Sequence, residues 1–152
     1  MLIPTVLILC TGNSCRSHMA QGVLQSIVGD KLRVFSAGTE PAGYVHPLAI
    51  KVMQEIGIDI SDHKSRHVDE YKGETIHAVM TVCGDAHENC PVFPGDVKRF
   101  HWGFRDPAKA VGTDEDILAE FRKVRDQIKM VFEVYGEGYL QGLKDGTYGP
   151  ES

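Results

Sequence analysis

The residues able to do chemistry in this chain are two groups of cysteines, one arginine and one aspartate. Thr5 to Ser17 reads TVLILCTGNSCRS. Cys10 closes an apolar run, Arg16 lies six residues further on, and Ser17 follows it. A cysteine thiolate is a nucleophile. A guanidinium can fork two oxygens of a tetrahedral anion. Between them, Thr11, Gly12, Asn13, Ser14 and Cys15 supply successive backbone N–H groups at the start of a helix, which makes an oxyanion site. Ser17 can donate its hydroxyl to the sulfur. These donors and the helix end are expected to hold the Cys10 pKa well below that of a free thiol. A cysteine alone is often only a small buried apolar side chain. One that ends a strand, meets Gly-Asn-Ser, opens a helix and precedes Arg-Ser reads as a nucleophile in an anion loop.

Two further constellations join it. Asp106-Pro107 follows the short strand Lys98–Trp102, and proline stiffens the loop. A carboxylic acid over the anion site could protonate a leaving oxygen, although a turn aspartate is a common alternative. Cys83 and Cys90 flank GDAHEN. Metal binding is the weaker reading of the cysteines, because no Cys-x-x-Cys pair and no histidine array at zinc spacing occurs. The seven histidines are scattered and read mostly as surface residues.

The elements that must position these residues alternate. Thr5–Leu9 runs as a strand into Cys10, and Ser17–Ile27 has helical apolar spacing. Leu32–Ala37 is a second strand closed by Gly38. A helix opens at Pro47 and stops at Gly57. Ile58–Ser61 is extended, and Val68–Gly73 holds a short helical turn. His77–Val82 is a third strand ending at Cys83, and Lys98–Trp102 a short fourth. Thr113-Asp114-Glu115-Asp116 resembles a capping box. Ile117, Phe121, Val124, Ile128, Val131 and Tyr135 then trace one face of a long helix. Frequent glycine from Gly136 onward predicts fading order. The expected architecture is α/β and three-layer, a four-stranded parallel sheet flanked by helices on both faces. Residues 1–142 form one domain and 143–152 a flexible tail. In such sheets ligands bind at the carboxyl ends of the strands. Cys10, Cys83 and Asp106 all fall there.

Composition sets the outer bounds. The chain has 152 residues, 42% apolar and 24% charged, enough for one soluble core. With 16 Lys plus Arg against 21 Asp plus Glu, the net charge is −5. Bulk attraction to nucleic acid or anionic membrane is not expected, so an oxyanion must be drawn by a local site. The apolar start lacks a basic n-region, and no run approaches a membrane span. A cytoplasmic monomer is expected, with its cysteines reactive rather than structural.

CTGNSCRS resembles the Cys-x5-Arg-Ser loop of the low-molecular-weight protein tyrosine phosphatase superfamily, which contains phosphatases and arsenate reductases. The resemblance implies Cys10 as nucleophile, Arg16 as oxyanion clamp and Asp106 as general acid. Phosphatases of this kind usually place Tyr after Asp-Pro, where this chain has Ala108. TVCGDAHENCPVFPG, HWGFRDPA and FRKVRDQI are similar to segments of the thioredoxin-coupled arsenate reductases, so the matching motifs run from Cys10 to about Ile128. That subgroup implies a three-thiol relay. Cys83 attacks Cys10 to leave a Cys10–Cys83 disulfide, Cys90 moves it to Cys83–Cys90, and thioredoxin reduces the final bond as external reductant. The relay requires residues 84–89 to rearrange. Cys15 lends only its backbone. Some members bind a structural potassium ion through Asn and Ser oxygens and two acidic residues. Here Asn13 and Ser36 stand with Gln21 and Arg66. A cationic Arg66 opposes a cation, so neither a metal nor another resident cofactor is expected. The competing function is a phosphomonoesterase using Cys10, Arg16 and Asp106. A non-catalytic anion-binding or redox module is a third class.

Overall fold

The computed structural model describes residues 3–84, 90 and 93–146. Four parallel strands run β1 (Thr5–Cys10), β2 (Arg33–Gly38), β3 (Ala78–Thr81) and β4 (Lys98–His101), in the order β2-β1-β3-β4. All six residues of β1 are buried, as a central strand covered on both faces requires. Edge strand β4 carries exposed Lys98, Arg99 and His101, which discourage pairing with another chain.

Among the described residues, three α-helices accompany the sheet: α1 (Arg16–Val28), α2 (Pro47–Gln54) and α3 (Asp114–Asp145). Ser36 of β2 bonds Gln21 of α1, so even-numbered β2 side chains face that helix. Phe35 points the other way and meets Tyr71 of the 3-10 turn Val68–Tyr71.

The parallel α/β sheet agrees with the sequence expectation, as does the capping box in which Thr113 and Asp116 bond reciprocally. One expectation is corrected. Order does not fade at Gly136, because α3 continues to Asp145 and ends at Gly146 with φ 74°. Residues 143–145, assigned to the tail, are its last turn, and 147–152 lie outside the described residues. Gly136 is not a breaker. A Cβ there would come within 2.9 Å of Ile27 and 3.2 Å of Leu24, so glycine allows α3 to lie close against α1. On the same helix Arg125 donates to the Val52 carbonyl at 2.9 Å and to Glu55 at 2.8 Å, fastening α2. Among the described residues no helix is long and apolar enough to cross a membrane.

Candidate active site

The carboxyl ends of β1 and β3 finish level, with Leu9 paired to Thr81. Residues 10–15 then turn from β1 into α1. The outward ties of this loop define its shape. Thr39 N donates to the Cys10 carbonyl at 3.3 Å, Glu40 N to Thr11 at 2.9 Å, Ala42 N to Gly12 at 2.8 Å and His46 N to Ser14 at 2.9 Å. The Asn13 carbonyl meets His18 Nε2 at 2.9 Å. Five successive carbonyls are thus held from outside. A trans peptide sets N–H opposite C=O, so these ties turn the intervening N–H groups inward. Helix α1 begins without a side-chain N-cap, which leaves its positive end available to an anion.

Asn13 takes the bend at φ 44°, a left-handed conformation rare outside glycine. Its side chain supports it there. Nδ2 donates to Ser17 Oγ at 2.8 Å and Ser36 Oγ at 3.1 Å, and Oδ1 accepts from Arg66 N at 2.7 Å. Because Ser17 Oγ accepts from Asn13, its proton is free for Cys10 Sγ, 3.0 Å away. Asn13 N donates to the same sulfur at 3.2 Å. Gly38 closes the packing at the end of β2, where a Cβ would sit 2.5 Å from the Thr11 carbonyl.

Burial reverses one electrostatic expectation. It pushes the Cys10 thiol above its ordinary value, despite the opposing Ser17 hydroxyl and N–H, the Arg16 charge and Asn13 N–H. The low thiol pKa expected from the motif is therefore not a property of the resting loop, and these four contacts offset only part of the desolvation. Cys15, also buried, is pushed up to about 12, which makes it a poor nucleophile.

Arg16 is buried against the loop, with Nη1 donating to the Phe104 carbonyl at 3.2 Å. Its Nη2 lies 3.5 Å from Asp106 Oδ2. Asp106 Oδ1 accepts from Ala108 N at 3.0 Å, capping the 3-10 turn Pro107–Lys109. Asp106 is therefore a turn residue through one oxygen and faces the Arg16 guanidinium through the other. Cys83, just beyond β3, is buried with its sulfur 3.1 Å from Thr11 Oγ1. Cys90 is part-exposed and accepts from Arg99 Nη1 at 3.2 Å. None of the four cysteines is joined in a disulfide. The structure thus gathers Cys10, Arg16, Ser17, Cys83 and Asp106 at one sheet edge. The expected rearrangement of 84–89 falls, except for Gly84, outside the described residues.

The oxygens suggested for a potassium ion are engaged otherwise. Ser36 donates to Gln21 Oε1 at 2.7 Å, Asn13 Oδ1 is taken by Arg66 N, and the Arg66 guanidinium pairs with Glu70 at 3.2 Å. This donor set does not fit a cation. Among the described residues no group of three or more His, Cys, Asp or Glu could hold a metal.

Several contributors escaped the sequence reading. The collar of backbone donors between Thr39 and His46 has no side-chain signature. Phe104 acts through its carbonyl. His18 is 1% exposed and sits inside the loop's hydrogen bonds, an exception among histidines expected to lie mostly on the surface. Its position directly after Arg-Ser was the available signal.

Comparison with known proteins adds an independent line. Residues 5–137 match the family model for low molecular weight phosphotyrosine protein phosphatase. The chain is 50% identical over 129 residues to an arsenate reductase of Halalkalibacterium halodurans, covering 85% of this chain and 92% of that one. A solved arsenate reductase in its phosphate-binding state superposes with a TM-score of 0.70 at 32% identity, covering 89% of this chain and 98% of that chain. A thioredoxin-dependent arsenate reductase of Corynebacterium glutamicum gives 0.56 at 26% identity, over 88% of this chain and 63% of the other.

Proposed function

The chain belongs to the low molecular weight phosphotyrosine protein phosphatase family and is an arsenate reductase within it, and from that premise we propose that it works by a three-thiol relay re-reduced by thioredoxin. The observation that carries the relay is the Cys83 thiol at 3.1 Å from Thr11 Oγ1, against the residue next to the nucleophile. A phosphatase has no use for a thiol there, whereas a reductase needs a second sulfur within reach of the first.

Arsenate enters the ring of N–H groups, and Arg16 holds its equatorial oxygens. Cys10 Sγ attacks arsenic as Ser17 Oγ and Asn13 N stabilise the thiolate. A sulfur–arsenic bond forms, and one oxygen leaves as water with a proton from Asp106 Oδ2. Cys83 thiolate next attacks Cys10 Sγ. The sulfur–arsenic electron pair passes to arsenic, which falls from As(V) to As(III) and departs as arsenite, leaving the Cys10–Cys83 disulfide. Cys90 thiolate then attacks Cys83, freeing Cys10 and forming Cys83–Cys90. The Arg99 guanidinium donates to Cys90 Sγ at 3.2 Å and orients it. Two electrons from the thioredoxin dithiol restore the starting state. A cytoplasmic setting, where thiols stay reduced, suits this cycle. No resident metal or other cofactor takes part in this scheme.

The test is arsenate-dependent NADPH oxidation with thioredoxin and thioredoxin reductase, beside hydrolysis of a generic aryl phosphate. Turnover with arsenate that stops when thioredoxin is omitted is the expected result. Arsenite formation with a monothiol reductant alone, unaffected by thioredoxin, removes the coupling. Efficient ester hydrolysis without arsenate reduction replaces the reading by a phosphatase.

A further inference from the structure

Four of the five loop carbonyls are tied by main-chain N–H groups of residues 39–46, whereas the Asn13 carbonyl is tied by a side chain, His18 Nε2 at 2.9 Å. A carbonyl only accepts, so Nε2 must carry the proton and Nδ1 of the neutral ring must accept. The ring is neutral because burial pushes His18 down to about 4. Ser36 Oγ and His63 Nδ1 lie within hydrogen-bond distance of Nδ1, with the Gln21 side chain also against the ring, its amide Nε2 donating to the Val34 carbonyl. Ser36 Oγ, 3.4 Å away, spends its proton on Gln21 Oε1 at 2.7 Å. His63 Nδ1, 3.1 Å away, is left as the donor. His63 is half-buried, with Asp59 and Asp62 beside it. Every proton in the chain His63 to His18 to Asn13 therefore has one allowed direction.

We propose that His18, braced by His63, is a positioning residue of the oxyanion site: by donating to the Asn13 carbonyl it sets the Asn13–Ser14 peptide plane and turns the Ser14 N–H toward the bound anion. The plane needs such a tie because Asn13 is left-handed at φ 44°, where a peptide flip toward an ordinary conformation relieves strain. Such a flip would replace a donor by a carbonyl oxygen in the anion's path. The Asn13 side chain cannot prevent it alone, since its bonds to Ser17, Ser36 and Arg66 N hold the side chain and not the following peptide. His63 makes the arrangement directional. Without its donor, the His18 ring can adopt the other tautomer and present a lone pair to the carbonyl.

The proposal rests on the oxyanion reading of the loop, and the experiment separates the two. Inorganic phosphate is titrated calorimetrically into the parent, His18→Leu, His18→Gln and His63→Leu, with arsenate KM and kcat measured in parallel. His18→Leu is expected to weaken phosphate binding about 5–10-fold, the range of one net hydrogen bond, and to raise KM similarly. His18→Gln, whose amide can reach the same carbonyl, should stay within about twofold of the parent, a rescue that a mere space-filling role does not give. His63→Leu, at a half-buried position that tolerates an apolar side chain, should lose about threefold and supplies the test if His18→Leu does not fold. Parent-like affinity in both leucine variants, or His18→Gln as weak as His18→Leu, overturns the proposal. A parent that binds no phosphate at all overturns the oxyanion reading along with it.

Discussion

Cys10, the proposed nucleophile, and the two thiols proposed as its partners, Cys83 and Cys90, are held in different settings. Around Cys10, carbonyls from Cys10 to Ser14 are tied outward one after another, mostly by main chain, and Asn13 is fixed by three side-chain hydrogen bonds. Cys83 is buried beside Thr11 Oγ1, and Cys90 is part-exposed beside Arg99 Nη1. A site that stabilises developing charge works best when its dipoles are fixed beforehand. A relay in which one sulfur must meet two others in turn needs sulfurs that can change neighbours. The comparison therefore sets a cradle of fixed dipoles around Cys10 beside the two thiols through which we propose that the electrons pass.

The contrast can be broken at several points. Cys10→Ser should abolish arsenite formation, because a neutral hydroxyl in this ring is a poor nucleophile; measurable turnover by the variant removes Cys10 from the first step. Asp106→Asn should slow adduct formation by roughly 10²–10⁴ while phosphate still binds. An unchanged rate in stopped-flow would leave Asp106 with only its turn-capping bond to Ala108.

Smaller effects sharpen the account of the cradle. Gly38→Ala drives a Cβ toward the Thr11 carbonyl at 2.5 Å. Overpacking of this kind costs about 1–3 kcal/mol, so Tm should fall by roughly 2–10 °C, with weaker phosphate binding; calorimetry checks both. Ser17→Ala removes a contact that lowers the Cys10 pKa, so the inflection of iodoacetamide alkylation should move to higher pH. No movement would mean that the hydroxyl does not donate to the sulfur. His18 contributes through stability. Its folded pKa of about 4 lies below the ordinary 6.5, so the unfolded chain takes up the proton first. Stability should be lost as pH falls from about 6.5 toward 4, by on the order of 2–3 kcal/mol. Chemical denaturation at several pH values should show a flatter profile in His18→Gln.

What the sequence could reveal follows how local each cause is. The strand, the Gly-Asn-Ser break and the helix after it are written in adjacent residues, so the Cys10 loop was legible, and level strand ends carried Cys83 and Asp106 to the same edge. The collar was not, because its donors come from residues 39–46 through backbone atoms that any residue but proline supplies. The extent of α3 was misread because Gly136 has low helix propensity, while its reason is contact with Ile27 and Leu24 more than a hundred residues earlier. The thiol pKa was misjudged for a related reason. The motif displays the donors around Cys10, but burial depends on the assembled core.

The relay itself is tested most directly by single-turnover arsenite release from reduced Cys83→Ser and Cys90→Ser, with disulfides mapped under non-reducing conditions. Cys90→Ser should release one equivalent of arsenite and stop as a Cys10–Cys83 disulfide. Cys83→Ser should release almost none while binding phosphate like the parent. If both variants instead cycle with thioredoxin at the parent rate, a three-thiol path through Cys83 and Cys90 is contradicted.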